Sequence, residues 1–338
     1  MRKAWLYIFS FACLLLYALS LNRPFMEWWA DYRTYTLHAA HAKARYGDLY
    51  SNCFLPGYLD TAYIPLKENK EGGNTDLYIL HDSYLEGKIT KENFRGINKL
   101  VMADYRGADV EVRPDKTKRN ILVIECSERT AEWRFTDTLN AFSKFNMTGK
   151  LQHATDKDNG EPLLNYFFNP NINQNLEFMV YDYEYFIPLK NAKAWLNYRL
   201  FKRLPKDVSI STDEKYLLLS ETVDPRSGSS SFAPLNYPYL DHVTRCVNRV
   251  GQYYKSRGFD EVYFSVIPNP VSIVDEYRGS YNHKIEWLEK NTLLQSKYLS
   301  ICPVFQDART RIYRTDDTHW NGNGLQLWVD EVNKIIQP

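Results

Sequence analysis

Three short stretches limit what this chain can fold into: the apolar runs Leu77–Leu80 and Ile121–Cys126, and the strand-like Phe259–Ile267. Each is of strand length, each is rich in β-branched or aromatic residues, and each ends at polar residues, as a buried strand does. Helical spacing fills the intervals. Leu85, Ile89, Phe94, Ile97, Leu100 and Val101 predict a helix after the first run, and Leu240, Val243, Val247 and Val250 predict another. Leu325, Trp328, Val329, Val332 and Ile336 predict an amphipathic helix that closes the chain. Lys215–Ser220 and Tyr298–Phe305 read as further strands. Strands alternating with helices predict an α/β domain around a doubly wound, mainly parallel sheet, opening with a β-α-β unit. There is no internal repeat.

The N-terminus is a separate element. After Arg2 and Lys3, the stretch Trp5–Leu21 is almost unbroken apolar sequence. It is longer than the usual core of a signal peptide and reaches the roughly 18 residues that a spanning helix needs. The expectation is a transmembrane anchor at 1–21 with its basic end in the cytoplasm; Ala18-Leu19-Ser20 offers cleavage and a secreted form as the alternative. Cys13 lies mid-run and does not suit a lipoprotein site. Residues 22–76 read as a lead-in and 77–338 as the main domain, with an insertion at about 131–214.

Composition excludes some partners. The 338 residues carry 42 basic and 41 acidic side chains, a formal net charge of +1, so no broad field draws in nucleic acid. At 44% hydrophobic, the chain can fill a sizeable core. Outside the cytoplasm Cys53, Cys246 and Cys302 can form one bridge at most if Cys126, inside an apolar strand, is a buried thiol. No cysteine pair has metal-ligand spacing, and His38 and His41 sit among alanines of an ordinary helix, so neither metal nor cofactor is expected. Asn169–Asn175 reads as a turn-rich connection. The aromatic run Phe178–Phe186 suits either packing or stacking on sugar rings.

Two stretches carry chemistry. In Arg311–Gly324, Asp316 and Asp317 precede His319 by three and two residues, so either can accept the second imidazole N–H, fixing the tautomer of a general base. Gly322 and Gly324 are expected to let the backbone turn tightly into the last helix. Upstream, the first strand ends in Asp82-Ser83, placing Ser83 as a nucleophile where a helix N-terminus can stabilise an oxyanion. An isolated Asp-Ser there is also an ordinary helix cap, and only the distant Asp-x-His favours the nucleophile. Asp82, Ser127, Arg129 and Trp320 complete the candidate oxyanion and substrate-contacting set, with Ser127 or a nearby N–H as the second donor; Arg129 can instead pair with Glu128.

An early Asp-Ser after an apolar strand and a late Asp-x-His-Trp resemble the SGNH hydrolase superfamily, and within it the alginate-acetylation type of sugar O-acetyltransferase. The similarity lies in blocks: Ile79–Leu85, Asn120–Arg129 ending in Glu-Arg, Val266–Pro270, and Asp317-Thr-His-Trp320. Ser83 precedes His319 as in ordinary SGNH esterases, His81 stands where Gly is usual, and the Gly-x-Asn-Asp block is not visible. Asp317 matches the Asp-Thr-His-Trp block, whereas Asp316 has the offset common in SGNH esterases.

The resemblance implies an SGNH-like three-layer sandwich and a Ser-His-Asp enzyme. It implies O-acetyl transfer to, or hydrolysis from, an envelope or exported polysaccharide, in a bacterial inner membrane with the domain in the periplasm. It also implies a multipass membrane O-acyltransferase partner as acetyl donor. The alternatives are a catalytically idle glycan-binding scaffold, which the His81 and Asn-block departures suggest, and a lipid esterase.

Overall fold

The computed structural model describes residues 2–36, 46–69, 71–147, 175–176, 179–180 and 184–337. His38 and His41, the connection 169–174 and residues 178 and 181–183 of the aromatic run lie outside the described residues. The chain forms two compact units. One comprises Asp48–Asn52, Tyr58–Gln152 and Pro205–Pro338; the other comprises Met1–Gly47, Cys53–Gly57 and His153–Leu204.

In the larger unit the strands are β1 (Gly72–His81), β2 (Ile97–Asp104), β3 (Val110–Glu111), β4 (Arg119–Ser127), β5 (Phe145–Asn146), β6 (Val208–Ile210), β7 (Leu217–Leu219), β8 (Glu261–Ile267) and β9 (Lys297–Tyr298). Five of them make a parallel sheet in the order β2-β1-β4-β8-β9. β3 pairs with β5, and β6 with β7, as small separate ribbons. The central strands are buried on both faces because their side chains alternate between two apolar cores. Tyr78, Leu80, Leu122, Ile124 and Cys126 join one core, which Leu240, Val243, Val247 and Val250 of the helix Tyr237–Lys255 cover. Leu77, Ile79, Ile121 and Val123 join the other, beneath Leu325, Trp328, Val329, Val332 and Ile336 of the helix Gly322–Ile336. A mainly parallel sheet flanked by helices is therefore the architecture.

Several local expectations are corrected. The helix expected over 85–101 is absent: a string of turns and the short 3-10 helix Lys91–Asn93 lead into β2, which pairs with β1 from Thr75↔Ile97 to His81↔Asp104. Gly96, at φ +68°, breaks the helical path, and Ile97, Leu100 and Val101 fit a strand as readily. Lys215–Ser220 does not extend the main sheet; Leu217–Leu219 turns back antiparallel on Val208–Ile210. Tyr298–Phe305 gives only the end of β9 before the helix Cys302–Gln306, which Pro303 starts near its N-terminus. Ala131, Phe135, Ala141 and Phe145 belong to the sheet's core, so the start of the expected 131–214 insertion packs with the sheet.

The five cysteines are free thiols, and Cys126 is buried in β4. In the smaller unit, Arg2–Leu21 is a helix whose Lys3–Leu21 segment is long and apolar enough to cross a membrane, with Trp5, Phe9, Phe11 and Leu14 exposed. The helix Ile187–Phe201 also lies there and has no buried residue.

Candidate active site

Ser83 follows β1 at the carboxyl end of the sheet, where a parallel α/β sheet presents its loops. The turn is held by Asp82. Its Oδ1 accepts the Tyr84 N–H at 3.0 Å, a local Asx turn, and its Oδ2 accepts the Ser127 N–H at 3.0 Å from the end of β4. The Asp82 N–H donates to Glu125 Oε2 at 3.2 Å. Ser83 is thus laced to the neighbouring strand through the residue before it. No helix begins here: the bonds from Leu85 N–H to Asp82 and from Lys88 N–H to Leu85 make successive turns. The expected helix N-terminus at Ser83 is corrected accordingly.

The histidine arrives from the opposite end of the chain. Tyr313 and Trp320 pair as an isolated antiparallel bridge around the loop, and the Asn321 side chain caps the last helix by accepting from the N–H groups of Asn323 and Gly324. Gly322 and Gly324 are not in the left-handed region; a Cβ at Gly322 would lie 2.1 Å from the Ile64 carbonyl oxygen, and one at Gly324 2.5 Å from that of Ile312. Close backbone approach, not turn conformation, requires them.

The two loops meet. His319 Nε2 lies 2.9 Å from Ser83 Oγ, and His319 Nδ1 lies 2.5 Å from Asp317 Oδ1, which also accepts the His319 backbone N–H at 2.9 Å. With Nδ1–H donating to the carboxylate, Nε2 is left to accept from the serine hydroxyl. Ser83 is half-buried and the His319 side chain is 17% exposed, so both can be reached from solvent. Burial alone would push the Asp317 carboxyl up, but the bonds and charge of His319, with help from Arg314, hold it well below the usual carboxylate range.

The remaining expected residues divide sharply. Asp316 is fully buried and faces away from the imidazole: Arg314 Nε and Nη2 donate to its oxygens at 2.9 and 3.0 Å, and the Asp60 N–H donates at 3.1 Å. Geometry therefore leaves Asp317, not Asp316, beside His319. Ser127 is buried, with its N–H given to Asp82 and its hydroxyl paired with Thr130, so neither group is free as the second oxyanion donor. Asp82 holds the turn and is not open to substrate. Trp320 is also corrected: it is 3% exposed, donates Nε1–H to the Tyr84 carbonyl at 3.1 Å and packs in the core with Tyr84, Phe305 and Trp328. Arg129 forms no ion pair with Glu128 among the described residues; Glu128 Oε2 accepts from the Asn269 N–H and the Ser272 hydroxyl. Its guanidinium lies 6.0 Å from the Tyr84 ring, whose centroid is 4.8 Å from that of His319.

Four residues at the site were not anticipated. Tyr84 bridges the loops, Glu125 supports the turn, and Thr318 and Asp48 flank the imidazole. Glu125 did leave a signal, a lone acid inside the apolar run Ile121–Cys126. Asp48 left none, since its contact spans 270 positions. The ligand atoms of Asp48, Asp317 and His319 lie within 4.8 Å of one another. The hydrogen bond between His319 Nδ1 and Asp317 already occupies the atoms a cation would need there.

Comparison with protein-family models, curated proteins and solved structures gave no match.

Proposed function

We propose that this protein is a serine-dependent acyl-transfer enzyme acting on carbohydrate, with an SGNH-hydrolase-like α/β/α domain. The observation that carries the reading is the hydrogen-bonded chain from Ser83 Oγ to His319 Nε2 and from His319 Nδ1 to Asp317. Ser83 Oγ attacks an acyl ester carbonyl while His319 Nε2 takes its proton, and Asp317 stabilises the imidazolium. The tetrahedral intermediate collapses, the departing alkoxide receives that proton, and an acyl-Ser83 remains. Water or a sugar hydroxyl then attacks with His319 as base, releasing acid or an acylated sugar.

The substrate class rests on the sequence blocks: an acetylated envelope or exported polysaccharide, with a multipass membrane O-acyltransferase as the donor. The apolar helix Arg2–Leu21 supports an anchored protein, with a cleaved, secreted form as the alternative; a domain working in a bacterial periplasm is what the resemblance of the sequence blocks implies.

The test is acetyl gain or loss on a defined oligosaccharide by wild type and by Ser83→Ala, alongside labelling with a fluorophosphonate. Labelling lost in Ser83→Ala and His319→Ala, with acetyl turnover lost in the same variants, is the expected result. Turnover of long-chain esters but not acetyl esters would transfer the reading to a lipid esterase. An unlabelled wild type would leave a glycan-binding scaffold.

A further inference from the structure

We propose that Asp48 is a second carboxylate for His319, acting through the Thr318 hydroxyl, so that the imidazole keeps its orientation when Asp317 is removed. The inference rests on the serine–histidine reading above. Asp48 opens the short helix Asp48–Cys53, far from the histidine in sequence, yet it is fastened to the histidine loop at three points. Its Oδ1 accepts the Thr318 N–H at 2.8 Å, its Oδ2 accepts the Thr318 hydroxyl at 2.5 Å, and its own N–H donates to Asp317 Oδ2 at 3.2 Å.

Because the Thr318 hydroxyl gives its proton to Asp48, its lone pairs are free to face a donor. That donor is present: Thr318 Oγ1 lies 3.3 Å from His319 Nδ1, and Asp48 Oδ2 itself lies 3.9 Å from the same nitrogen. Nδ1–H therefore has a first acceptor in Asp317 at 2.5 Å and a second in a threonine polarised by a carboxylate. Thr318 is buried, so water does not compete for that hydroxyl. Asp48 is a positioning residue: it touches neither Ser83 nor any reacting atom.

Two carboxylates beside one imidazole carry a consequence. Although the Asp48 side chain is 45% exposed, partial desolvation against the histidine loop and then the charge of Asp317 push its carboxyl up, while His319 and the Thr318 bonds pull it back. The pair is thus tied together through the ring it shares, and loss of one member relieves the other.

The test is the second-order rate of fluorophosphonate labelling of the full chain. Asp317→Ala should lose about 10- to 100-fold, and Asp48→Asn less than about 10-fold. The double variant should fall at least about tenfold below the product of the two single effects. In the Asp317→Ala background, Thr318→Val should reproduce the double variant and Thr318→Ser should restore the rate. A readout independent of turnover is the low-field proton resonance of His319 Nδ1–H, which should persist in Asp317→Ala and vanish in the double variant. Multiplicative single effects, or Asp317→Ala as unreactive as His319→Ala, would overturn the inference while leaving the enzyme intact. An unreactive wild type would instead remove the reading beneath it.

Discussion

The Tyr84 hydroxyl donates to the Thr318 carbonyl oxygen at 2.7 Å, tying the turn that carries Ser83 to the loop that carries His319. Trp320 Nε1–H returns a bond to the Tyr84 carbonyl, so one residue on each side clamps the other loop. The Ser83–His319 distance is consequently set by two bonds that involve neither residue.

Tyr84→Phe should keep the ring packing against His319 and Trp320 but leave the buried Thr318 carbonyl without its donor. The expected loss is about 1–2 kcal/mol of stability. A larger proportional loss should appear in the rate of Ser83 modification, because the histidine loop is no longer held in register. Chemical unfolding and labelling kinetics on the same preparation separate the two effects. Equal labelling by Tyr84→Phe and wild type would show that the clamp does not set the distance.

Asp316 and Asp317 should give opposite phenotypes although they are adjacent. Asp316→Ala leaves Arg314 without its buried partner and the Asp60 N–H without its acceptor, which should cost about 3 kcal/mol. Below its lowered melting temperature that variant should still label at Ser83. Asp317→Ala should remain folded and label slowly. Matching melting temperatures for the two variants would contradict the division of roles.

How far the sequence revealed this arrangement depends on whether the deciding interaction was local. The stretches that became β1, β4 and β8 were legible because strands buried on both faces must be apolar almost throughout. The last helix was legible from its stripe and His319 from the carboxylates just before it, whereas Ser83 stood out only through that distant Asp-x-His, since Asp-Ser alone reads as a helix cap. Residues 85–101 misled because Ile97, Leu100 and Val101 satisfy two periods at once, and the pairing of β2 with β1 decided between them. Asp316 and Asp317 were both within reach of the imidazole, and only Arg314 and Asp60 from the folded chain drew one of them away. Asp48 could not be found at all, since nothing near it in sequence marks a contact with Thr318.

Gly322→Ala tests the backbone contact behind the histidine. The added methyl would meet the Ile64 carbonyl oxygen and Ile64 Cβ, neither of which can rotate away. Overpacking of this kind costs about 1–3 kcal/mol, more where backbone must move, even though alanine is the better helix former. The variant should melt lower than wild type and label more slowly at Ser83, because the Asn321 cap and the His319 loop move with the displaced turn. A neutral or stabilising substitution, measured by thermal unfolding, would show that the helix start is loose enough to yield.

Glu125 supplies the pH-dependent test. Its carboxyl is fully buried, and burial first, then the neighbouring Asp82 charge, push it well above the usual range. An acid whose pKa rises on folding holds its proton more firmly in the native state than in the unfolded one. Its favourable share is therefore complete below the ordinary glutamate value of about 4.3 and declines as pH rises from there toward the native value. Glutamine cannot lose that proton, yet its side-chain oxygen can still accept the Asp82 N–H that Glu125 accepts. Glu125→Gln should thus gain stability relative to wild type as pH increases from 5 to 8, on the order of 1 kcal/mol or more, with Ser83 labelling retained. Glu125→Leu, which removes the acceptor, should lose labelling even where it remains folded. Urea unfolding at both ends of that range decides the sign: a difference that does not change with pH would mean that Glu125 holds the turn without titrating differently on folding.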